Sequence, residues 1–194
     1  MPDVQSPQFK LIIAAAKQCY LSDGISGTGM AEVAATAGVA RSTLYRYFAG
    51  RDELLIATVQ DEMLQLNTFL RRKLDRLPDP ADQLVEGLLL AIREIPRRKL
   101  LNAVFASEQD VRARHVVWGS NTIVRFGEEL MSHVIGPATS ARLLQDQVPA
   151  EVMIEWVYRL LLSFLTLPSN TLKNEQALRA TLHALLVPVL LKPH

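Results

Sequence analysis

Apolar residues recur along most of this chain at the three- and four-residue spacing of an α-helix. The first stripe ends where Asp23 and Gly24 interrupt it. Its members are Phe9, Ile12, Ile13, Ala16, Cys19 and Tyr20. Runs that alternate β-branched and polar residues between Asn-Gly or Asp-Gly turns are missing, so strands are not expected. The pattern predicts an all-α protein.

Glycine and proline divide the predicted helices into short and long ones. Five of the 9 glycines lie between Gly24 and Gly50, whereas residues 8–77 contain no proline. Turn-forming glycines at such short intervals favour short helices, and the prolines that follow residue 77 mark the ends of longer ones. The first fifty residues are therefore expected to differ in architecture from the remainder.

Two short helices and one long helix follow the first stripe. We predict a helix that has Thr28 as its N-cap, runs to Ala37 and is ended by Gly38. Another is predicted from Arg41 to Phe48, and a long one from Asp52 to Leu77. A break near Gly119 is expected in one of the later helices, for a total of about nine. The later predicted spans are Ala81–Ile95, Arg97–Ser107, Gln109–Ile135, Ala150–Leu167 and Asn174–Leu191.

The two short helices have the spacing of a helix-turn-helix. Such a pair needs a small residue where the helices cross, a turn residue that accepts a left-handed backbone, and an apolar anchor on the second helix. Ala34, Gly38 and Leu44 supply these in order. The same spacing would also fit ordinary helical packing.

The second short helix and its C-terminal flank carry the groups that DNA recognition uses. Residues 41–51 contain three arginines and no acid. Cations and hydroxyls suit phosphate, while short side chains near a helix start suit base edges. Half-buried aromatic residues are the alternative for the tyrosines. The candidate DNA contacts from this stretch are Arg41, Ser42, Thr43, Tyr45, Arg46, Tyr47 and Arg51.

Residues 12–55 resemble the TetR family of bacterial transcriptional regulators. The most specific match is the run Thr43-Leu44-Tyr45-Arg46-Tyr47-Phe48, followed by Asp52-Glu53-Leu54-Leu55. Weaker matches precede it, at Ile12-Ile13, Ala16, Tyr20, Gly24, Thr28, Val33-Ala34 and Ala37-Gly38-Val39. The resemblance covers about a quarter of the chain, and it implies the family's fold.

The resemblance also implies roles for single residues. Thr28 resembles a phosphate contact at the start of the second helix, and Tyr45 and Tyr47, with Thr43, resemble contacts of the recognition helix. Arg51 stands where the family usually has a lysine near phosphate. Two departures, at Ala31 and Ser42, bear on base preference: the family often has a polar or basic residue at the first position and glycine at the second.

Composition limits the class of protein further. The net charge of +1 excludes a general polycation, so any DNA-binding surface is local. One cysteine allows no internal disulfide, and no signal peptide or membrane span is visible, so a cytoplasmic location is expected. We predict two domains: residues 1–50 for DNA binding, and residues 51–194 as a larger helical domain for ligand binding and dimerisation.

The last two predicted helices are unusually apolar. In proteins that resemble this one, the corresponding helices pair with those of a second copy into a four-helix interface. Burial against their own chain is the alternative. The predicted interface residues are Leu160, Phe164, Leu178, Leu182, Leu185 and Leu186.

A ligand pocket is expected among the central helices. Large apolar or amphipathic side chains are typical of such pockets, although each would also fit a core. The candidates are Phe105, Trp118, Thr122, Phe126, Met153 and Trp156. Arg112, Arg114 and His115 would suit an anionic ligand or simply a solvated helix face. No metal-ligand spacing is found, and no metal is predicted.

The pattern favours a regulator over an enzyme. No GxSxG, phosphate-loop or GxGxxG motif is present, so no catalytic residue and no cofactor is predicted. We predict a dimeric repressor that is released from a palindromic double-stranded operator by a small apolar or amphipathic effector. An activator, or a helical sensor that no longer binds DNA, would share much of this pattern.

Overall fold

The computed structural model describes residues 6–105, 111–122, 124–129, 132, 144–145, 148–167, 169–172 and 174–192. Within these ranges the chain is helical, and the β-structure consists of one isolated antiparallel bridge between Leu144 and Leu191. The predicted all-α class is confirmed.

Ten helices with full bounds lie in the described ranges, and residues 124–129 are also helical. In chain order they are α1 (Pro7–Asp23), α2 (Met30–Thr36), α3 (Arg41–Tyr47), α4 (Arg51–Leu74), α5 (Pro80–Glu94), α6 (Lys99–Phe105), α7 (Val111–Gly119), α8 (Ala150–Thr166), α9 (Glu175–Leu185) and α10 (Val187–Leu190).

The prediction that Thr28 caps the second helix is wrong. Gly29 is the N-cap, with an extended backbone, and α2 begins at Met30. An N-cap side chain must accept a hydrogen bond from the first turn. The Thr28 hydroxyl instead donates backwards to the carbonyl oxygen of Gly24, at 2.8 Å. Glu32 supplies the cap from the other side, because its carboxylate accepts from the Gly29 amide at 3.4 Å.

Two of the long predicted helices are interrupted. The expected break near Gly119 is confirmed: α7 ends there, and Asn121 has a left-handed backbone with φ 58°. The single helix predicted for Asn174–Leu191 is wrong, because it divides at Leu186 into α9 and α10. Pro188 lacks the amide hydrogen that would continue the ladder of α9. Residues 109–110, 123, 130–131 and 133–135 of the predicted Gln109–Ile135 helix lie outside the described residues.

The chain forms two compact units. The first comprises residues 1–64 and 98–123. In it, α1 packs on α2, α2 packs on α3, and α6 contacts both α1 and α7. Ile12, Val33 and Leu44 are fully buried, as is Leu101 from α6. The interior of this unit therefore combines the N-terminal helices with later ones.

The second unit comprises residues 65–97 and 124–194. Helix α5 is its central element, because α8, α9 and α10 all pack against it. Accordingly, α5 buries leucine side chains on more than one side, including Leu84, Leu88 and Leu90. Gly87 permits a close approach, since a Cβ there would meet the Leu74 side chain at 3.4 Å.

Candidate nucleic-acid interface

The pair α2 and α3 has the local geometry that a helix-turn-helix requires. Ala34 is 1% exposed and Leu44 is 0% exposed. Gly38 supplies the left-handed turn with φ 63°, where a residue with a Cβ would be strained. The amide of Val39 donates to the carbonyl of Ala34 at 3.0 Å and closes the end of α2. The three residues of the sequence pattern therefore act as expected.

The outer side of α3 is polar, basic and exposed. While Leu44 faces the core, Arg41, Ser42, Tyr45 and Arg46 are exposed. Tyr45 is 48% exposed, and Thr43 is half-buried. Arginine donors next to hydroxyls form the combination that binds phosphates and reads base edges. We refer to Arg41, Ser42, Tyr45 and Arg46 as the α3 outer face.

Tyr47 has a more structural environment than the α3 outer face. Its ring packs near Phe9 and Phe48, with centroids 6.3 and 6.4 Å away. Its hydroxyl donates to the Gln8 side chain at 3.2 Å. The Arg46 guanidinium lies 5.6 Å from the centre of the same ring. Tyr47 thus joins α3 to the start of α1 and positions Arg46.

Arg51 and Thr28 both contact the backbone of the loop between α1 and α2. The Arg51 Nη2 atom donates to the carbonyl oxygens of Ile25 and Ser26, at 3.1 and 2.8 Å. Arg51 is otherwise exposed. Thr28 is 2% exposed, and its hydroxyl is used within the loop. Of the residues predicted to contact DNA, Thr28 is the least accessible.

A buried carboxylate that sequence reasoning missed links three elements of the first unit. Glu62 of α4 is 4% exposed. It accepts a hydrogen bond from Arg98 at 2.9 Å and forms an ion pair with Lys17 of α1. The sequence does contain an indication of this burial, because Glu62 lies on the apolar face of α4 between the buried Val59 and Leu66. A buried charge is maintained by such pairing.

The predicted ligand residues fall into both units. In the first unit, the rings of Phe105 and Trp118 are 6.5 Å apart. Thr122 is buried and accepts a hydrogen bond from Gln60 at 3.2 Å. The other three candidates lie in the second unit, where Phe126 and Met153 are buried and Trp156 is 43% exposed.

A second polar residue missed by sequence reasoning is Asn67 in the second unit. It is 1% exposed, and neither Nδ2 nor Oδ1 has a hydrogen-bond partner in the described part of the chain. An unpaired buried amide costs about 1–3 kcal/mol. Such a group is suited to bind a polar atom of a ligand or a water molecule.

The predicted interface residues differ in exposure. Leu178, Leu182 and Leu186 are buried in the second unit. Leu185 is 66% exposed, and Leu160 and Phe164 are half-buried. The residues with apolar surface to offer a second copy are therefore Leu160, Phe164 and Leu185.

Among the described residues, no helix has the length and apolar character that crossing a bilayer requires. In the same part of the chain, no group of three or more His, Cys, Asp or Glu side chains is placed to hold a metal ion.

The comparisons with known proteins find similarity to bacterial transcriptional regulators. The family model described as bacterial regulatory proteins, tetR family, matches residues 12–58. An uncharacterized HTH-type transcriptional regulator of Mycobacterium tuberculosis is 27% identical over 169 residues, which are 87% of this chain and 80% of that protein.

Two solved structures show the same fold over nearly the whole chain. The TetR family repressor AlkX from Dietzia sp. strain DQ12-45-1b, implicated in biodegradation of n-alkanes, is 23% identical, with a TM-score of 0.67 and 96% coverage of both chains. The transcriptional regulator FadR from Bacillus subtilis, solved with stearoyl-CoA, is 17% identical, with a TM-score of 0.62, covering 93% of this chain and 98% of that one.

The matched residues 12–58 include the Ala34, Gly38 and Leu44 geometry and the whole α3 outer face. The described helices that follow are those of the larger helical domain of these solved structures. Residues 12–58 therefore match the tetR family of bacterial regulatory proteins, and the chain is similar over most of its length to an HTH-type transcriptional regulator.

Proposed function

We propose that this chain is a DNA-binding transcriptional regulator of the tetR family, and that it is a dimeric repressor released from a palindromic operator by a small apolar or amphipathic ligand. The observation that carries the proposal is the α3 outer face, where two arginines and two hydroxyl residues are exposed beside the fully buried Leu44. One such helix reads only a few base pairs. Two copies reading a palindrome would supply the missing specificity.

Dimerisation is supported by apolar surface in the second unit. Trp156 and Leu185 are 43% and 66% exposed, and Leu160 and Phe164 are half-buried. A contiguous patch of exposed apolar side chains is typical of a surface that a partner covers. A second copy of the chain, related by a two-fold axis, would bury these four side chains in both copies.

Release by a ligand is supported by Asn67 and by two of the relatives. FadR from Bacillus subtilis binds stearoyl-CoA, and AlkX is implicated in n-alkane biodegradation. An amphipathic effector would contact the apolar Phe126 and Met153 and would satisfy the unpaired Asn67 amide. Long-chain acyl compounds are therefore the first class to test.

DNA recognition is tested by titrating the protein against the DNA upstream of its own gene. Arg46→Ala and Tyr45→Ala should each weaken binding about tenfold or more, because each removes an exposed contact. Arg72→Ala is the matched control, since Arg72 is an exposed arginine of α4 in the second unit. Equal affinity of all four proteins would contradict the proposed contacts.

The ligand is tested on the protein–DNA complex with stearoyl-CoA as the probe and coenzyme A as the control. Release by stearoyl-CoA alone would support an acyl ligand, and Asn67→Leu should reduce its effect while preserving DNA affinity. If stearoyl-CoA and a panel of free fatty acids leave the complex intact, the acyl class is wrong. Failure of the ligand test leaves the DNA result unaffected, so the two parts are separable.

A further inference from the structure

A cleft of about 100 Å³ opens in the first unit, beside the start of α4. Its floor is apolar, because Ile25, Leu55 and Ala113 are buried. Its rim is charged and exposed, and includes Arg51 and Arg112. An apolar floor below a charged rim is the arrangement that binds small amphipathic molecules.

Tyr20 gives the cleft an unused hydrogen-bond donor. The residue lines the cleft and is 7% exposed. Its hydroxyl has no hydrogen-bond partner among the described residues. Burial raises the pKa of this phenol, an effect that the nearby Arg51 opposes, so the hydroxyl stays protonated at neutral pH. A buried phenol usually finds a partner, and a ligand acceptor in the cleft would provide one.

The charges on the rim favour an anion. Arg112 donates to Asp52 at 3.2 Å, so Asp52 balances one of the two guanidinium groups. Within the described ranges, Arg51 donates hydrogen bonds through Nη2 only. Because a guanidinium carries five N–H donors, both arginines retain free ones. The rim therefore has a net charge of +1, which matches a single carboxylate.

The volume sets the size of the molecule. A cavity of about 150 Å³ holds benzene, so this cleft suits a ligand no larger than that. Inorganic phosphate would leave the apolar floor uncovered. We propose that the cleft binds a short-chain monocarboxylate, with its carboxylate between Tyr20 and the two arginines and its alkyl chain on the apolar floor. This site is separate from the effector site of the second unit and does not depend on the proposed repressor function.

The experiment is a calorimetric titration of the full-length protein, without DNA, with butyrate at neutral pH. Butyrate should bind saturably with one equivalent per chain. Tyr20→Phe and Arg112→Gln should each weaken binding about tenfold, which corresponds to about 1.4 kcal/mol. Tyr158→Phe is the matched control, because Tyr158 is a half-buried tyrosine of the second unit. Butyramide and inorganic phosphate should bind at least about tenfold more weakly than butyrate.

Several outcomes would overturn the site. They are the absence of saturable butyrate binding, equal binding of butyramide, and unchanged binding by both Tyr20→Phe and Arg112→Gln. Arg112 is exposed, so Arg112→Gln remains informative if Tyr20→Phe fails to fold. Preferential binding of phosphate would also contradict the proposal, because it would assign the cleft to inorganic anions.

Discussion

Ala34 is the residue where added volume is least tolerated in the helix-turn-helix. It is 1% exposed at the crossing of α2 with its neighbours, whereas the adjacent Ala35 is exposed. We expect Ala34→Leu to lower the free energy of unfolding by about 1–3 kcal/mol through overpacking. Ala35→Leu is the control and should leave it nearly unchanged. Equal denaturation midpoints for the two variants would refute this view of the crossing.

Tyr20 gives the protein an alkaline limit. Burial raises the pKa of its phenol above the ordinary 10.0. Above about pH 10 the unfolded chain releases this proton while the folded chain retains it, so stability present below that pH is lost as pH rises. The loss for one proton is at most about 1.4 kcal/mol per pH unit. Denaturant titrations from pH 9 to 11 should show a steeper loss for the wild type than for Tyr20→Phe. An equal loss of stability with pH in the two proteins would contradict this role of Tyr20.

Single residues were predictable from sequence where geometry leaves few choices. Ala34, Gly38 and Leu44 follow from the requirements of a steep helix crossing, and each has the expected environment. The environments of Thr28 and Tyr47 could not be predicted from the sequence. That of Thr28 depends on the direction of its hydroxyl, and that of Tyr47 depends on a residue far away in the sequence. Thr28 donates to Gly24, and Tyr47 donates to Gln8 across 39 positions of sequence.

At the scale of elements, Glu62 of α4 links α1 to the segment before α6. Its carboxylate contacts Lys17 and Arg98. Glu62→Gln should reduce the free energy of unfolding by about 1–3 kcal/mol, because it weakens two charge-assisted hydrogen bonds at a buried position. Hydrogen exchange should increase in α1 and α6 together. The control is Glu128→Gln, since Glu128 is exposed. If hydrogen exchange increased in α4 alone, Glu62 would not link α1 to the segment before α6.

The helices themselves were largely predictable, and their ends were less so. Amphipathic stripes and prolines placed α4, α5 and α8 within a few residues of their observed bounds. The division between α9 and α10 was missed because the apolar stripe continues through Pro188 while the backbone ladder does not. The sequence pattern does not show which apolar residues of a helix are buried within the chain, because this depends on packing. Leu182 and Leu185 lie on one helix, yet they are 3% and 66% exposed.

At the scale of the whole molecule, the exposed apolar side chains of the second unit support the proposed dimer. We expect Leu185→Glu to shift the protein from dimer to monomer in sedimentation velocity, because a carboxylate at this position cannot be buried without a partner. Leu11→Glu, at an exposed leucine of α1 in the first unit, should leave the dimer intact. A wild-type monomer, or a Leu185→Glu dimer of unchanged stability, would rule out this interface.

The division into residues 1–50 and 51–194 stays a prediction at this scale. The change from short to long predicted helices puts this boundary near residue 50. Packing groups residues 98–123 with residues 1–64. Contacts between elements far apart in sequence, such as α1 with α6, leave no signal in local periodicity. Local patterns therefore reveal the DNA-binding helices more readily than the packing around them.

DNA binding by the α3 outer face underlies the proposed function, and the salt dependence of affinity tests this binding directly. For the upstream DNA, the logarithm of the binding constant should fall linearly with the logarithm of salt concentration. Arg46→Ala should reduce the magnitude of that slope by about 1, as expected for the loss of one phosphate contact, while Arg72→Ala should not change it. A wild-type affinity independent of salt, or an unchanged slope for Arg46→Ala, would contradict the account.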